Sequence, residues 1–360
     1  MSALVFTMVL AAAVLHASWN ASVKSAGDRV VSMALVFATG GLISVPLLFL
    51  LPLPQVASWP YIAISAAIHA LYGLALARML ASGDLSQTYP IARGSAPIMI
   101  YLLAAVFAGE RLTAVGIGAI ALISAGIISL SGGGRSRQSR GRLATAQALF
   151  VGLLISLYSF TDGLGVRLGG QTVAYIAWMF FLTAILILPA AMAIRRRAFY
   201  PSLGMVWKAG VGGGVIAILA YGIVIWAMSV APMASVAALR ETSVVFAAGI
   251  GMRFLGEDGG HWRLVSALLV VLGVIVLQQS GGSAGQYQGS VIMTHRDRSC
   301  GPPGRKQRAG DVGHRPALLT PSGEPHGRPQ QRPAEAFGQR RARFAMPRIA
   351  TAHAPCRKPC

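Results

Sequence analysis

The sequence predicts an all-α integral membrane protein of ten transmembrane helices built from a duplicated unit. Three observations carry this prediction: an apolar composition, the number of long apolar runs, and an internal repeat. The 360-residue chain is 54% hydrophobic and only 12% charged, which is far too apolar for a soluble domain. A run of about 20 apolar residues spans a bilayer as a helix, and the chain contains roughly ten such runs.

The internal repeat is a hydrophobic hairpin that occurs twice. The stretch Arg93–Glu110 returns without a gap as Arg240–Glu257, 147 residues later, and both copies end in Gly-Glu. Carrying the same offset forward places Gly126 on Gly273. An internal repeat in a membrane protein is typical of transporters that bind their solute between two halves.

Apolar periodicity and polar or Gly/Pro-rich joins place the ten helices. Because the joins are short, successive helices are expected to run antiparallel. The predicted ranges are Ala3–Val23, Val30–Leu51, Trp59–Leu80, Leu85–Ala108, Ala114–Leu130, Ala144–Val166, Thr172–Ile194, Met205–Ser229, Ala234–Phe254 and Trp262–Leu277.

The same pattern divides the chain into four parts. Residues 1–131 form the first repeat, 132–142 a basic linker, 143–280 the second repeat and 281–360 a basic tail. In the tail the apolar periodicity stops, and two interpretations remain: a disordered segment, or out-of-frame translation. All three cysteines lie there, so no disulfide, thiolate metal site or cofactor is predicted for the helical part.

The net charge of +20 does not indicate nucleic-acid binding. Residues 1–280 hold 17 Lys/Arg against 7 Asp/Glu, mostly in loops, with no basic-aromatic face. The basic residues concentrate in the loops after the odd-numbered helices, which by the positive-inside rule places both termini away from the cytoplasm.

Polar side chains at membrane depth are costly and are candidates for function. The substrate-binding or gating candidates are Arg93, Arg240, His16, Asn20, His69 and Tyr72, and the proton-coupling candidates are Asp162 and Glu241.

Arg93 and Arg240 each lie about eight residues inside a predicted helix, roughly 12 Å deep at 1.5 Å per residue. One interpretation is a structural ion pair or carbonyl clamp, although Glu241 directly follows Arg240 and adjacent helical residues do not face each other. The other is an anion-attracting pair that lines a central cavity.

The remaining candidates also have two interpretations each. Asp162 is either a buried proton relay or an interfacial residue in water. His16 and His69 either titrate during transport or hydrogen-bond to neighbouring helices. Glu110 and Glu257 are expected to form turns rather than bind solute.

No catalytic or nucleotide-binding motif occurs, so no enzymatic activity is predicted and transport driven by the chain's own ATP hydrolysis is excluded. The alternative from another class is a membrane-embedded lipid-processing enzyme without a recognisable motif. It would need acids or histidines clustered at one interface.

Several motifs together resemble the EamA-domain transporters of the drug/metabolite transporter superfamily. They are YPIARGSAPI, the GERLT turn at Gly109–Thr113, HASWN, DGLGVR at Asp162–Arg167 and the second Gly-Glu turn. The resemblance covers residues 1–280. It implies two inverted five-helix repeats, no ATPase, cytoplasmic termini (contrary to the loop charges) and export of small metabolites, amino acids or drugs.

Taken together, these features predict a secondary transporter that works by alternating access in the bacterial inner membrane. Its expected partners are a small-molecule solute, coupling protons and the lipid bilayer, and the oligomeric state is left open. The solute site is expected near the membrane centre between helices 1, 3, 4, 6, 8 and 9.

Overall fold

The computed structural model describes residues 1–24, 27–82, 85–133, 142–246 and 261–282, which fold as α-helices with short 3₁₀ turns and no strand among them. The tail, most of the linker and the second Gly-Glu turn lie outside these residues. The α-helices are α1 (Ala3–Lys24), α2 (Arg29–Leu50), α3 (Trp59–Ser82), α4 (Leu85–Phe107), α5 (Ala114–Ser129), α6 (Arg142–Gly169), α7 (Thr172–Arg195), α8 (Phe199–Val230), α9 (Met233–Glu241) and α10 (His261–Gly282).

These helices identify an integral membrane protein. Within the described residues, six stretches are long and apolar enough to cross a bilayer, and one of them, Thr172–Val230, contains both α7 and α8. Large apolar side chains face outward, as at Leu42 (72% exposed) and Phe49 (85% exposed). Such an outer surface suits lipid and would be a liability in water.

Local signals explain where several helices begin and end. Asp28 caps α2 by accepting hydrogen bonds from the Val30 and Val31 amides. At the end of α4, Gly109 adopts a left-handed φ of 64°, and the Glu110 amide then reaches the Ala104 carbonyl. This is the geometry that a glycine after a helix permits.

Helix α9 ends earlier than the predicted range Ala234–Phe254. A turn at Thr242 follows Glu241, and residues 243–246 are helical again. The Thr242 hydroxyl donates to the Leu239 carbonyl at 2.7 Å, and the Thr242 amide also turns back to Leu239. Such local bonds compete with the regular helical ladder and account for the break.

Helix α8 begins six residues before its predicted start, and α6 extends beyond its predicted range at both ends. The predicted join Arg195–Ser202 is therefore reduced to the 3₁₀ turn Arg196–Ala198. The sequence places these joins at polar or Gly/Pro-rich residues, whereas arginines continue a helix well once it leaves the apolar layer.

The order of contacts gives the relative directions of several helices. Along α5 and α10, Gly126 lies against Val270 and Gly273 lies against Ile123, so these two helices are antiparallel. Helices α2 and α7 are also antiparallel, since Asp28 pairs with Arg195 while Gly40 packs on Phe180.

Helices α4 and α6 run parallel. The position of Gly152 abuts the Ala92 carbonyl, and one turn later the Ser156 hydroxyl donates to the Ala96 carbonyl at 3.3 Å. Other close pairs are α1 with α8, α3 with α6, α2 with α8, α3 with α7 and α4 with α9.

Candidate functional site

A buried group of polar and charged side chains lies where six helices meet. We call it the central cluster: His16 on α1, His69 and Tyr72 on α3, Arg93 on α4, Tyr158 and Asp162 on α6, Tyr221 on α8, and Arg240 and Glu241 on α9. No member is more than 7% exposed.

The carboxylate of Glu241 bridges the two arginines that the repeat identifies. Arg93 Nη1 donates to Glu241 Oε2 at 3.0 Å, and Arg240 donates to Oε1 from Nη2 at 2.8 Å and from Nε at 3.0 Å. All three side chains are at most 1% exposed. The result is a buried triad with two cations around one anion.

The triad corrects one expectation from the sequence. Adjacent residues of a regular helix point apart, yet Arg240 and Glu241 bond directly. Glu241 is the last residue of α9, just before the turn at Thr242. At this break in the helix, the long Arg240 side chain folds back onto its neighbour Glu241.

Aromatic rings and a histidine complete the surroundings of the arginines. The Arg93 guanidinium contacts His16 Nε2 and lies 5.3 Å from the centre of the Tyr89 ring. The Arg240 guanidinium lies 5.9 Å from the ring centres of both Tyr158 and Tyr221. Cations over such rings gain a further electrostatic attraction.

Helix geometry places the triad near the middle of the bundle. Glu110, just after the end of α4, accepts a hydrogen bond from the first amide of α9, so these packed helices run in opposite directions. Arg93 is eight residues from the start of α4 and Arg240 is seven from the start of α9, which is about 12 Å and 10 Å along each axis. The two arginines thus approach Glu241 from opposite ends.

Asp162 is fully buried, so the expectation of an interfacial residue in water is wrong. Its carboxylate accepts hydrogen bonds from Tyr221 Oη at 2.6 Å and from Tyr175 Oη at 3.0 Å. The Ser65 hydroxyl also hydrogen-bonds to it. Three helices besides its own, α3, α7 and α8, therefore supply donors to this acid.

The two histidines link neighbouring helices. His16 contacts Arg93 on α4 through Nε2, and its Nδ1 accepts a hydrogen bond from the Trp19 indole of its own helix at 3.2 Å. The His69 ring lies 4.0 Å from the Tyr158 ring, centre to centre, and its Nδ1 contacts Ser65. Their role in transport stays a prediction.

Asn20 and Tyr72 have different surroundings from the other candidates. The Asn20 amide donates to the His16 carbonyl of its own helix at 2.7 Å, so it is not part of the central cluster. Tyr72 packs against Tyr158, and its buried hydroxyl has no hydrogen-bond partner among the described residues. A buried hydroxyl of this kind calls for an explanation, such as a bound ligand.

Sequence reasoning missed the tyrosines. Tyr158, Tyr175 and Tyr221 are each at most 7% exposed and contact the buried charges. A tyrosine within an otherwise aliphatic span is itself a polar signal, since its buried hydroxyl needs a partner. Helices 1, 3, 4, 6, 8 and 9, between which the solute site is expected, supply the central cluster, and α7 adds Tyr175.

Glu110 joins three segments at one end of the bundle. Its carboxylate accepts the Met233 amide at 3.0 Å and pairs with Arg167 at 2.9 Å. Arg167 also donates to the carbonyls of Met228 and Ala231. A carboxylate at a helix N-terminus is favourable both as a cap and with the helix dipole.

Asp28 has a comparable role at the opposite end. Besides capping α2, it pairs with Arg195 at 2.9 Å and accepts a hydrogen bond from Ser202. Burial acts to raise the pKa of Asp28. The hydrogen bonds from Val31, Arg195 and Ser202 outweigh burial and hold the pKa of this carboxyl below its ordinary value.

A cavity of about 220 Å³ opens at this second end. Three arginines contribute to its lining: Arg29, Arg78 and Arg195. Among the described residues, no three His, Cys, Asp or Glu side chains are grouped so that they could hold a metal ion.

Comparison with known proteins identifies the fold and no family. No protein-family model matches the chain. No curated protein matches it. A crystal structure described only as that of a protein matches with a TM-score of 0.62 at 18% identity, over 77% of this chain and 96% of the other. At that identity the similarity concerns the fold alone: nearly all of the second chain adopts the same arrangement.

Proposed function

We propose that this protein is a secondary transporter that exports a small metabolite, amino acid or drug by alternating access, as the EamA-like motifs imply. The observation that carries the proposal is the buried triad of Arg93, Glu241 and Arg240. Its two arginines occupy matching positions in the two repeats and meet at mid-depth. Transporter sites lie at such interfaces between repeats.

The proposal includes ten membrane spans in two inverted repeats, and the helix directions support it. In an inverted pair, equivalent helices of the two halves run in opposite senses. Helix α5 is antiparallel to its counterpart α10, and α2 is antiparallel to α7. At the α5–α10 crossing, Gly126 contacts Val270 and Gly273 contacts Ile123. By the 147-residue offset, Gly126 is equivalent to Gly273 and Ile123 to Val270, so each contact is the counterpart of the other.

The packing of the other helices supports the same symmetry. In two five-helix repeats, α1, α2 and α3 are equivalent to α6, α7 and α8. If equivalent helices are exchanged, the pair α1–α8 becomes α6–α3, and the pair α2–α8 becomes α7–α3. Both members of each exchange are close packing pairs. A twofold relation between the halves predicts this matching.

The cost of burying charge favours a functional role for the triad. Structural ion pairs in a bilayer are expensive, and apolar residues of similar volume often stabilise as well or better. A bundle that only needed packing would gain little from two arginines at mid-depth.

Loop charge supports a cytoplasmic position for the end that carries Arg29, Arg78 and Arg195. We therefore place the arginine-lined cavity on the cytoplasmic side of a bacterial inner membrane, with Glu110 on the opposite side. An exporter would then take up its solute from the arginine-rich end.

A metabolite comparison tests the function. Media and extracts of cells that overexpress the protein are compared with those of cells that express Arg93→Gln or Arg240→Gln at matched levels. We expect one compound to be depleted inside and to accumulate outside only with the wild-type protein. Unchanged export by well-expressed variants would contradict a role for the arginines.

Accessibility labelling tests the inversion separately. All three cysteines lie beyond residue 280, so a chain ending at Ser280 provides a cysteine-free background. Single cysteines at Gly27, after α1, and at Gln171, after α6, mark equivalent ends of the two repeats. We expect membrane-impermeant reagents to label them from opposite sides, and labelling from one side would refute the inverted design.

A further inference from the structure

We propose that the Glu241 carboxylate occupies the position that a carboxylate of the solute takes during transport. The solute class is then a small monocarboxylate, and it binds together with one proton on Glu241. This inference rests on the proposed transport function and adds the solute class and the coupling.

Glu241 is bound in the way an arginine site binds a free carboxylate. Its two oxygens receive N–H groups from two guanidinium groups on different helices, at 2.8 to 3.3 Å. Arginine is suited to planar, two-oxygen recognition of this kind. The chain supplies this anion itself, from the last residue of α9, next to the turn at Thr242. Withdrawing the Glu241 carboxylate from the arginines requires movement of that one side chain. The break in the helix at Thr242, which would allow this movement, is already present.

Two buried hydroxyls, one within the central cluster and one two residues from Glu241 along the chain, have no hydrogen-bond partner among the residues described. They are Tyr72 Oη, on the ring that packs against Tyr158, and Ser243 Oγ, two residues after Glu241. Both side chains are at most 3% exposed. Buried polar atoms are nearly always satisfied, so these two are available to polar atoms of a bound solute.

Displacing Glu241 from the arginines favours protonation of its carboxylate. The triad holds two positive charges and one negative charge in a site without water-exposed surface. A monocarboxylate that took over the two guanidinium groups with Glu241 still ionised would leave the Glu241 carboxylate buried without its partners, which is costly in a low-dielectric site. If the Glu241 carboxylate takes one proton from the aqueous phase as the solute enters, it becomes a neutral acid. The net charge is then unchanged.

Other titratable groups face the same site. Arg93 and Arg240 stay charged, and the phenols of Tyr72, Tyr89, Tyr158 and Tyr221 are neutral near pH 7. The rivals for the proton are therefore Asp162, His16 and His69. Asp162 accepts its hydrogen bonds from tyrosines and a serine, so protonating it would leave Glu241 on both arginines.

Binding to the purified full-length protein tests the inference without a known solute. The probes are radiolabelled short-chain and aromatic monocarboxylates, each with its matching amide and amine, measured between about pH 5 and pH 8. We expect carboxylates to bind and their amides not to. If one proton is taken up with the solute, the affinity should weaken about tenfold for each unit rise in pH.

Two variants assign the proton. Glu241→Gln mimics the protonated acid and should bind carboxylates with an affinity that no longer depends on pH. Asp162→Asn removes the rival acid and should keep the wild-type pH slope, whatever it does to the affinity itself. The slope of the wild-type protein alone tests the coupling if Glu241→Gln does not fold.

Three results would overturn the inference: binding of amides or amines in place of carboxylates, a flat pH profile in the wild-type protein, or a slope that survives in Glu241→Gln and disappears in Asp162→Asn. None of them bears on transport itself. The transport proposal fails instead if overexpression exports nothing.

Discussion

The triad makes a strong prediction about stability. Replacing Glu241 by alanine removes the one negative charge between Arg93 and Arg240, which are both at most 1% exposed. Leaving a buried charge without its partner costs about 3–5 kcal/mol. For a chain of this size such a loss corresponds to a fall in the melting temperature of roughly 5–15 °C.

A triple replacement separates charge from packing. Changing Arg93, Arg240 and Glu241 all to methionine removes every charge of the triad while keeping much of its volume. Because apolar residues often substitute for a buried ion pair without loss, we expect the triple variant to recover most of the stability and to export nothing.

The assay is the melting temperature of the detergent-purified protein, followed by size-exclusion chromatography after heating. Arg111→Met, at an exposed arginine, is the matched control and should melt as the wild type does. Two results would contradict this reasoning: Glu241→Ala melts as the wild type does, or the triple variant is as unstable as Glu241→Ala. In either case the pairing of the buried charges would not determine the stability of this site.

Three further predictions concern the rest of the bundle. Gly126→Leu should destabilise the protein by about 1–3 kcal/mol, because even a Cβ at 126 would lie 2.9 Å from Val270, whereas Gly118→Leu on the same helix meets open space and should be neutral in the same melting assay. Glu110→Gln should lower stability by about 1–2 kcal/mol through loss of the ion pair with Arg167 and a weaker cap on α9, measured against Arg111→Gln. The pKa of Asp28 is lowered in the folded protein, so its contribution to the free energy of unfolding is present above the ordinary carboxyl pKa and is lost as the pH falls through the folded value. Asp28→Asn should therefore flatten the decline in melting temperature below about pH 4. An unchanged decline in the variant would contradict the assigned cause.

Hydropathy and the repeat were sufficient to predict where most helices lie. The signal is strong because a bilayer requires long apolar runs, and because the same hairpin occurs twice in the chain. The end of α9 was not predictable in this way, since the Thr242 side chain breaks the helix by a local hydrogen bond within an apolar run.

The repeat also singled out Arg93 and Arg240, but not the geometry around them. Helical spacing suggested that Glu241 faces away from Arg240, and only the helix end at Glu241 explains their contact. The tyrosines around Asp162 come from helices 13 and 59 residues away along the chain, which no local pattern reveals.

The contact of Glu110 with the first amide of α9 has a consequence for how the bundle can open. Glu110 and Arg167 together fasten the start of α9, the last turn of α8 and the end of α6 at one face. Parting the helices on that face means breaking the cap and the ion pair in the same movement. If the solute leaves on that face, its exit rate would be set by how often the Glu110 carboxylate separates from Arg167 and from the first amide of α9.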